Sequence, residues 1–258
     1  MFKVATWNVN SVRARLEHLK RWLKKQNPDV VCLQETKTLD KDFPYLEIES
    51  LGYHVAHAGG PGRNGVAIVA KEPPKDIQIG FPALEDKEAK ERLIAATVKG
   101  VRIHSVYVPN GGRDEEAFLY KLEFLFRLRE YLEAHFSPKD LLLLDGDFNI
   151  APEPQDVWDP ELLEGQVCFH PREKEALRLL LSWGLYDVYR LKHPCESGAY
   201  TWWDYQFGAF KANRGMRLDH IFISLPLVSS LREAYIDREP RGWKRPSDHT
   251  PLWAVFEL

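Results

Sequence analysis

Eight short apolar runs are spread along the chain, at residues 4–7, 30–33, 66–70, 93–98, 101–108, 141–144, 218–223 and 252–256. Each has the length of a strand and closes near a Gly, Pro, Asn or Asp, the pattern of a β-strand bounded by turns. Three other stretches, about 13–25, 115–135 and 172–183, repeat their apolar residues at helical spacing. Asp114 and Pro171 suit the starts of the second and third. In the second, Phe118, Leu122, Leu125, Phe126, Leu128 and Leu132 form a broad apolar face. Many strands and few helices predict two packed sheets flanked by helices. No low-complexity segment or Ser/Gly linker divides the 258 residues, so one domain over residues 1–258 is expected.

Several classes of function are set aside at this level. No apolar run approaches the length that spans a bilayer, so no membrane partner is expected. The first residues read as a strand and lack the regions of a signal peptide. Cys32, Cys168 and Cys195 cannot all pair and show no metal-site spacing, which points to a reducing cytoplasm. The segment 60–65 matches G-x-G-x-x-G, but a strand follows it and Asn64-Gly65 reads as a hairpin turn, so a dinucleotide site is rejected. Ser247-Asp248-His249 has the letters of a triad, yet neighbours on an extended chain point to different faces. His54 and His57 likewise face opposite sides of one strand and make a poor zinc pair.

The net charge of −3 argues weakly against a nucleic-acid partner. Four of the acids, however, fall in the candidate site below. Basic residues cluster at Lys20-Arg21, Lys24-Lys25, Lys211/Arg214/Arg217 and Arg238/Arg241/Lys244/Arg245, and a cluster on one face can bind phosphates when the total is near zero.

Polar residues sit where the apolar runs end. Asn8, Glu35, Asn110, Asp147, Asn149 and Asp219 all occupy such positions, and strand ends can converge on one rim of a sandwich. In Leu144-Asp145-Gly146-Asp147-Phe148-Asn149, a buried strand presents Asp147 and Asn149 on one side. A carboxylate beside an amide suits a base for water and a neighbour that orients it. Glu35 follows a second apolar strand and is the first-choice Mg²⁺ ligand, because Mg²⁺ takes hard oxygen donors and few carboxylates. Asn8 and Asn10 end the first strand nearby. Tyr107, on a face with Ser105 and opposite to His104, can donate to a phosphate. Asp219 paired with His249 would fix the imidazole's tautomer and raise its basicity. Each residue alone has an ordinary structural explanation, from turn former to core filler.

In order, W-N-V-N, L-Q-E-T-K, Y-V-P-N-G, G-D-F-N, R-L-D and S-D-H are far more specific than any one motif. The chain resembles the exonuclease III family of AP endonucleases, within the endonuclease/exonuclease/phosphatase superfamily, from Phe2 to Phe256. The resemblance implies a DNase I-like four-layer α/β sandwich of two mainly antiparallel sheets. It implies Mg²⁺, with Mn²⁺ as a substitute, held by Glu35 with Asn8 close by and Asp248 near the metal. It assigns Asp147 to activating the attacking water and Asn149 to orienting it. It also places Asp219 behind His249, and Tyr107, Asn110 and His249 on the phosphate. The implied substrate is double-stranded DNA with abasic sites or 3′ ends. Cleavage 5′ of the lesion leaves a 3′-hydroxyl and a 5′-deoxyribose phosphate, and 3′–5′ exonuclease and 3′-phosphatase activities accompany it. A monomer is expected.

Trp202, Met216 and Leu218 match the positions lining the family's abasic pocket, where a sugar without a base is cheap to flip. Arg214 and Arg217 are candidate phosphate contacts. Ser11 stands where relatives often carry Gly, and the loop after Asn110 is shorter than in some of them. Two alternatives are a different phosphatase or phosphodiesterase of the same superfamily, and a catalytically silent DNA-binding module. The sequence speaks against both: the first would carry a histidine near the position of Tyr107, and the second would have lost one of Glu35, Asp147, Asp219 and His249.

Overall fold

The computed structural model describes residues 1–82 and 86–258. Its strands are β1 Phe2–Asn8, β2 Val30–Gln34, β3 His54–Ala58, β4 Val66–Ala70, β5 Lys75–Ile79, β6 Leu93–Val98 and β7 Val101–Tyr107. They continue as β8 Leu142–Asp147, β9 Leu185–Asp187, β10 Trp202–Trp203, β11 Gly215–Met216, β12 Asp219–Ser224, β13 Leu231–Ile236 and β14 Leu252–Phe256. The described residues form two six-stranded sheets, in the orders β13-β14-β1-β2-β4-β3 and β5-β6-β7-β8-β12-β9, with β10 and β11 forming a separate ribbon.

The two sheets share one topology. Among the described residues each has a single parallel pair, β1 with β2 and β7 with β8, and antiparallel neighbours elsewhere. A parallel pair needs a crossover connection. Helix Leu16–Gln26 supplies the first and helix Glu115–His135 the second.

The alternation along β1 explains the layers. Phe2 and Val4 point between the sheets, where they meet Cys32, Ile68, Ile103, Leu143 and Ile221. Ala5 and Trp7 point the other way, onto Leu19, Trp22 and Leu23 of helix Leu16–Gln26. The outer face of the second sheet is covered by Phe124, Leu125 and Leu128 of helix Glu115–His135 and by Leu177 and Leu180 of helix Pro171–Leu181. The order helix, sheet, sheet, helix is the four-layer sandwich the sequence implies. No helix among the described residues is long and apolar enough to cross a membrane.

The helix starts are those the residues encode. Asp114 accepts from Ala117 N at 2.8 Å, and Pro171 opens the later helix behind a capping box of His170 and Glu173. The apolar face of the long helix differs from expectation. Phe126 is 62% exposed, while Lys121 is buried, with its ammonium on Asn110 O and Asn149 O. Helix Leu16–Gln26 also begins later than residue 13, because Ser11 adopts φ +85° and residues 12–15 form a turn.

Candidate active site

The parallel pairs create the site. In each, two carboxyl-terminal strand ends lie side by side: Asn8 beside Gln34, and Tyr107 beside Asp147. An antiparallel neighbour adds an amino-terminal end to the same rim. Asp219 pairs in register with Asp147, and Thr6 with Leu252, which brings Asp248 and His249 to the rim just before β14. Six separate segments therefore meet where the sheets pack.

The centre is a hydrogen-bonded bridge. Asn8 Nδ2 donates to Glu35 Oε1 and to Asp147 Oδ2, both at 2.8 Å, while its Oδ1 accepts from Asn10 N at 3.0 Å. Asn8 thus presents nitrogen, not oxygen, to the carboxylates. It links the two acids at the place where the sequence expects a metal. Asp147 Oδ1 accepts from Asn149 N at 2.9 Å, and Asn110 Nδ2 donates to Asn149 Oδ1 at 3.1 Å. On the far side, His249 Nδ1 lies 2.7 Å from Asp219 Oδ2, and its Nε2 is 3.6 Å from Asp147 Oδ2. Ser247 Oγ donates to Asn8 O at 2.7 Å and ties this loop to β1.

The backbone at the rim is held away from its easy conformations. Asn10, Ser11, Glu35, Lys37 and Asn149 all have positive φ, between 44° and 85°. A left-handed residue other than glycine costs on the order of 1 kcal/mol, and such residues gather at functional sites. Gly146 separates Asp145 from Asp147 for a steric reason: a Cβ there would lie 1.9 Å from Val106 O of the adjacent strand. The close approach of β7 and β8 depends on it.

Charge follows from burial and neighbours. Burial, against the opposing influence of His249, pushes the Asp147 carboxyl up to about 7. Burial works against the His249 imidazolium, but Asp219 and then Asp147 outweigh it and raise the histidine to about 10. His249 is therefore a cation at neutral pH, held by Asp219. Burial raises the Tyr107 phenol well above its ordinary value, and Glu35 and Asp147 raise it further, so it stays a donor. Burial also works against the Asp248 carboxylate, but His249 and the donors Trp202 and Asn10 hold it below the usual range.

A divalent cation fits this donor set. One ligand atom from each of Glu35, Asp147 and His249 falls within 4.8 Å of the others, and the two carboxylates are hard oxygen donors. Asp219 Oδ1 is buried without a hydrogen-bond partner among the described residues. Asp248 lies outside that group. Its oxygens accept from Asn10 Nδ2 and Trp202 Nε1, both at 3.0 Å, so it braces the pocket wall beside the acids.

The other expected residues divide. Trp202 pairs with Met216 across the β10–β11 ribbon, and both pack on Leu218 in a cluster with Val157, Cys168 and Phe169. Trp202 also bridges to His249, so this apolar patch adjoins the acids. Leu218 is only 3% exposed and forms the floor of the patch. Arg214 is half-buried and donates to Phe207 O at 2.5 Å. Arg217 is not a phosphate contact. It is fully buried, with Nε on Asp156 Oδ1 at 2.6 Å and a terminal nitrogen on Asp187 Oδ2 at 2.8 Å.

Lys37 is a site residue that the sequence reading passed over. Its ammonium lies 2.8 Å from Glu35 Oε2 and donates to Asn10 Oδ1 at 2.7 Å. The L-Q-E-T-K motif contains it, but its spacing from Glu35 on an extended strand says nothing about a chain that turns at both residues.

Comparison with known proteins decides the family. The model of the endonuclease/exonuclease/phosphatase family matches residues 5–249. The chain belongs to this family. Exodeoxyribonuclease III of Haemophilus influenzae is 35% identical, covering 99% of this chain and all of the relative. Among solved structures of the family, an AP endonuclease from Archaeoglobus fulgidus superposes with a TM-score of 0.96 at 41% identity. A 3′ phosphatase, NExo, from Neisseria, bound to product DNA hairpin, superposes with a TM-score of 0.95 at 38% identity. Both structural matches cover all of each chain. This family member is a hydrolase of phosphate esters, and its carboxylates and histidine are those such chemistry needs.

Proposed function

We propose that this chain is a Mg²⁺-dependent DNA-repair nuclease that cuts duplex DNA 5′ of abasic sites, leaving a 3′-hydroxyl and a 5′-deoxyribose phosphate. It also hydrolyses phosphodiesters and phosphates at 3′ ends. The observation that carries this reading is the adjacency of two features. The Asn8-bridged pair Glu35 and Asp147 sits beside the Asp219–His249 dyad, and the apolar patch of Trp202, Met216 and Leu218 opens next to both.

Each residue has a part in that reading. Asp147 accepts the proton of the attacking water, and its carboxyl, raised to about 7, matches a base working at neutral pH. Asn149 directs the water, and Asn110 holds Asn149 from the other side. The His249 imidazolium and the un-ionised Tyr107 donate toward the phosphoryl oxygens as negative charge develops there. Glu35 would hold the Mg²⁺, for which Mn²⁺ substitutes. When bound, the ion supplies positive charge for a phosphoryl oxygen. Trp202, Met216 and Leu218 receive the flipped, baseless sugar, and a nucleotide that keeps its base is too large and too well stacked to enter. Arg214 reaches the flanking phosphates. The whole chain acts as one catalytic unit, as a monomer in the cytoplasm.

The test is a duplex with one abasic-site analogue, labelled at either end, incubated with Mg²⁺ or with EDTA beside an undamaged duplex. Incision 5′ of the lesion with Mg²⁺ alone is expected. Mg²⁺-dependent release of 3′ phosphate without incision at the lesion would leave the chemistry and remove the lesion specificity.

A further inference from the structure

Lys121 and Glu173 form an ion pair with neither side chain exposed, between helices Glu115–His135 and Pro171–Leu181. Removing two charges from water is costly, and apolar replacements of similar volume are often as stable or more so. Stability therefore does not explain why the pair is there. Its contacts do. Lys121 Nζ donates to Asn110 O at 3.0 Å and to Asn149 O at 2.7 Å, and its third proton goes to Glu173 Oε1. All three donors of the ammonium are used. Glu173 Oε2 in turn accepts from His170 N at 3.1 Å, which fixes the pair to the start of its helix.

The two carbonyls belong to the two amides that face the reaction. Asn110 and Asn149 are joined through their side chains, Asn149 N holds Asp147 Oδ1, and Asn149 is kept at φ +52°. The ammonium grips these residues from behind, on the peptide groups that set where their carboxamides point. The passage for its stem is also provided: at Gly111, φ +81°, a Cβ would lie 3.0 Å from Lys121 Cδ.

We infer that Lys121, buried with Glu173, is a positioning residue that locks the Asn110 and Asn149 loops in register for attack on the phosphate. The inference rests on the proposed role of Asn149 as the group that orients the water. Lys121 touches no substrate. Its effect belongs to the chemical step, and not to DNA binding.

The test compares wild type with Lys121→Met/Glu173→Gln, which removes both charges and nearly keeps volume, and with Glu173→Gln alone, which breaks the ion pair but leaves the ammonium on both carbonyls. Single-turnover rates are measured with Mg²⁺ on an ordinary 3′ end of duplex DNA and at an abasic-site analogue, with DNA affinity measured in EDTA. The double variant is expected to lose tenfold or more in single-turnover rate on both substrates, with its DNA Kd within threefold of wild type. Glu173→Gln is expected to lose less rate than the double variant. A folded double variant within twofold of the wild-type rate overturns the inference, as does a loss confined to the abasic substrate. If the double variant does not fold, a tenfold loss in Glu173→Gln overturns it and a loss under threefold supports it. A wild type inert at the lesion but active at 3′ ends defeats the lesion reading alone and leaves this test intact.

Discussion

The Asp219 carboxylate lies 2.7 Å from Nδ1 of His249, and the other imidazole nitrogen faces Asp147. Asp219 is in turn the register partner of Asp147 across β8 and β12, so one strand pairing places both carboxylates that face His249. Asp219→Asn is therefore expected to lose on the order of 10²–10³ in kcat, the cost of a lost electrostatic contact to the transition state. It should also alter the pH profile. Asp219 is the strongest influence raising His249, so its removal lowers that pKa, and the alkaline limb moves to lower pH. A pH–rate profile of kcat/KM measures both effects. An unmoved alkaline limb would remove His249⁺ from the chemistry.

Asn8 joins Glu35 to Asp147 through one nitrogen. Asn8→Ala is expected to lower kcat at saturating Mg²⁺ by about 10–100-fold, as losing a group that orients a ligand does. The loss should fall on kcat more than on the half-saturating Mg²⁺ concentration. A Mg²⁺ titration of initial rates checks this. A large rise in the required Mg²⁺ with kcat preserved would make Asn8 a ligand of the ion.

The apolar patch should decide which DNA is cut, and not whether it is cut. Trp202→Ala with Met216→Ala is expected to reduce incision at an abasic analogue by 10-fold or more, about what 1.4 kcal/mol of lost contact amounts to. Hydrolysis at an unmodified 3′ end should fall less. Because Trp202 Nε1 also holds Asp248, Trp202→Phe alone separates that bond from the ring's packing. Equal losses on both substrates would assign these side chains to the common site.

A buried histidine behind the site contributes to the loss of stability in acid. His220 accepts from Arg217 at Nδ1 and pairs with Ile150 O through Nε2, so its geometry demands the neutral ring. Burial, then Arg217, lowers its pKa to about 4. The folded value lies below the ordinary 6.5, so the unfolded chain binds the extra proton. The contribution is full above pH 6.5 and is lost as pH falls toward 4. Between pH 7.5 and 5.5 this amounts to about 1.4 kcal/mol for one such residue. Chemical denaturation of wild type and His220→Gln at the two pH values tests it. The variant should show a smaller difference between them, and an unchanged difference would contradict the assignment.

Much of this architecture was legible because strands buried on both faces are continuous apolar runs, as in Val66–Ala70 and Leu252–Phe256. The edge strands escaped notice. Lys75–Ile79 exposes four of its five residues, and in Leu231–Ile236 the adjacent Arg232 and Glu233 break the alternation at a register shift, so neither stands out from a loop. At the site, the residue types and the Asp219–His249 pair were readable, and most other partners were not. Arg217 belongs to a basic stretch in sequence, yet two carboxylates from residues 156 and 187 enclose it in the fold. Lys121 appears polar on an amphipathic helix, and only the convergence of two loop carbonyls and Glu173 reveals why it turns inward. Which end of the Asn8 amide faces the acids depends on Asn10 N, a contact made by a left-handed turn that no local pattern announces.

The central claim is that Asp147 takes the proton of the attacking water. Asp147→Asn keeps the shape, and an amide at this position can still meet Asn149 N. Single-turnover incision of an abasic duplex at saturating Mg²⁺, with DNA affinity measured alongside, tests it most directly. The expected result is a rate lower by on the order of 10³ or more with affinity nearly unchanged. A rate within tenfold of wild type would contradict the account.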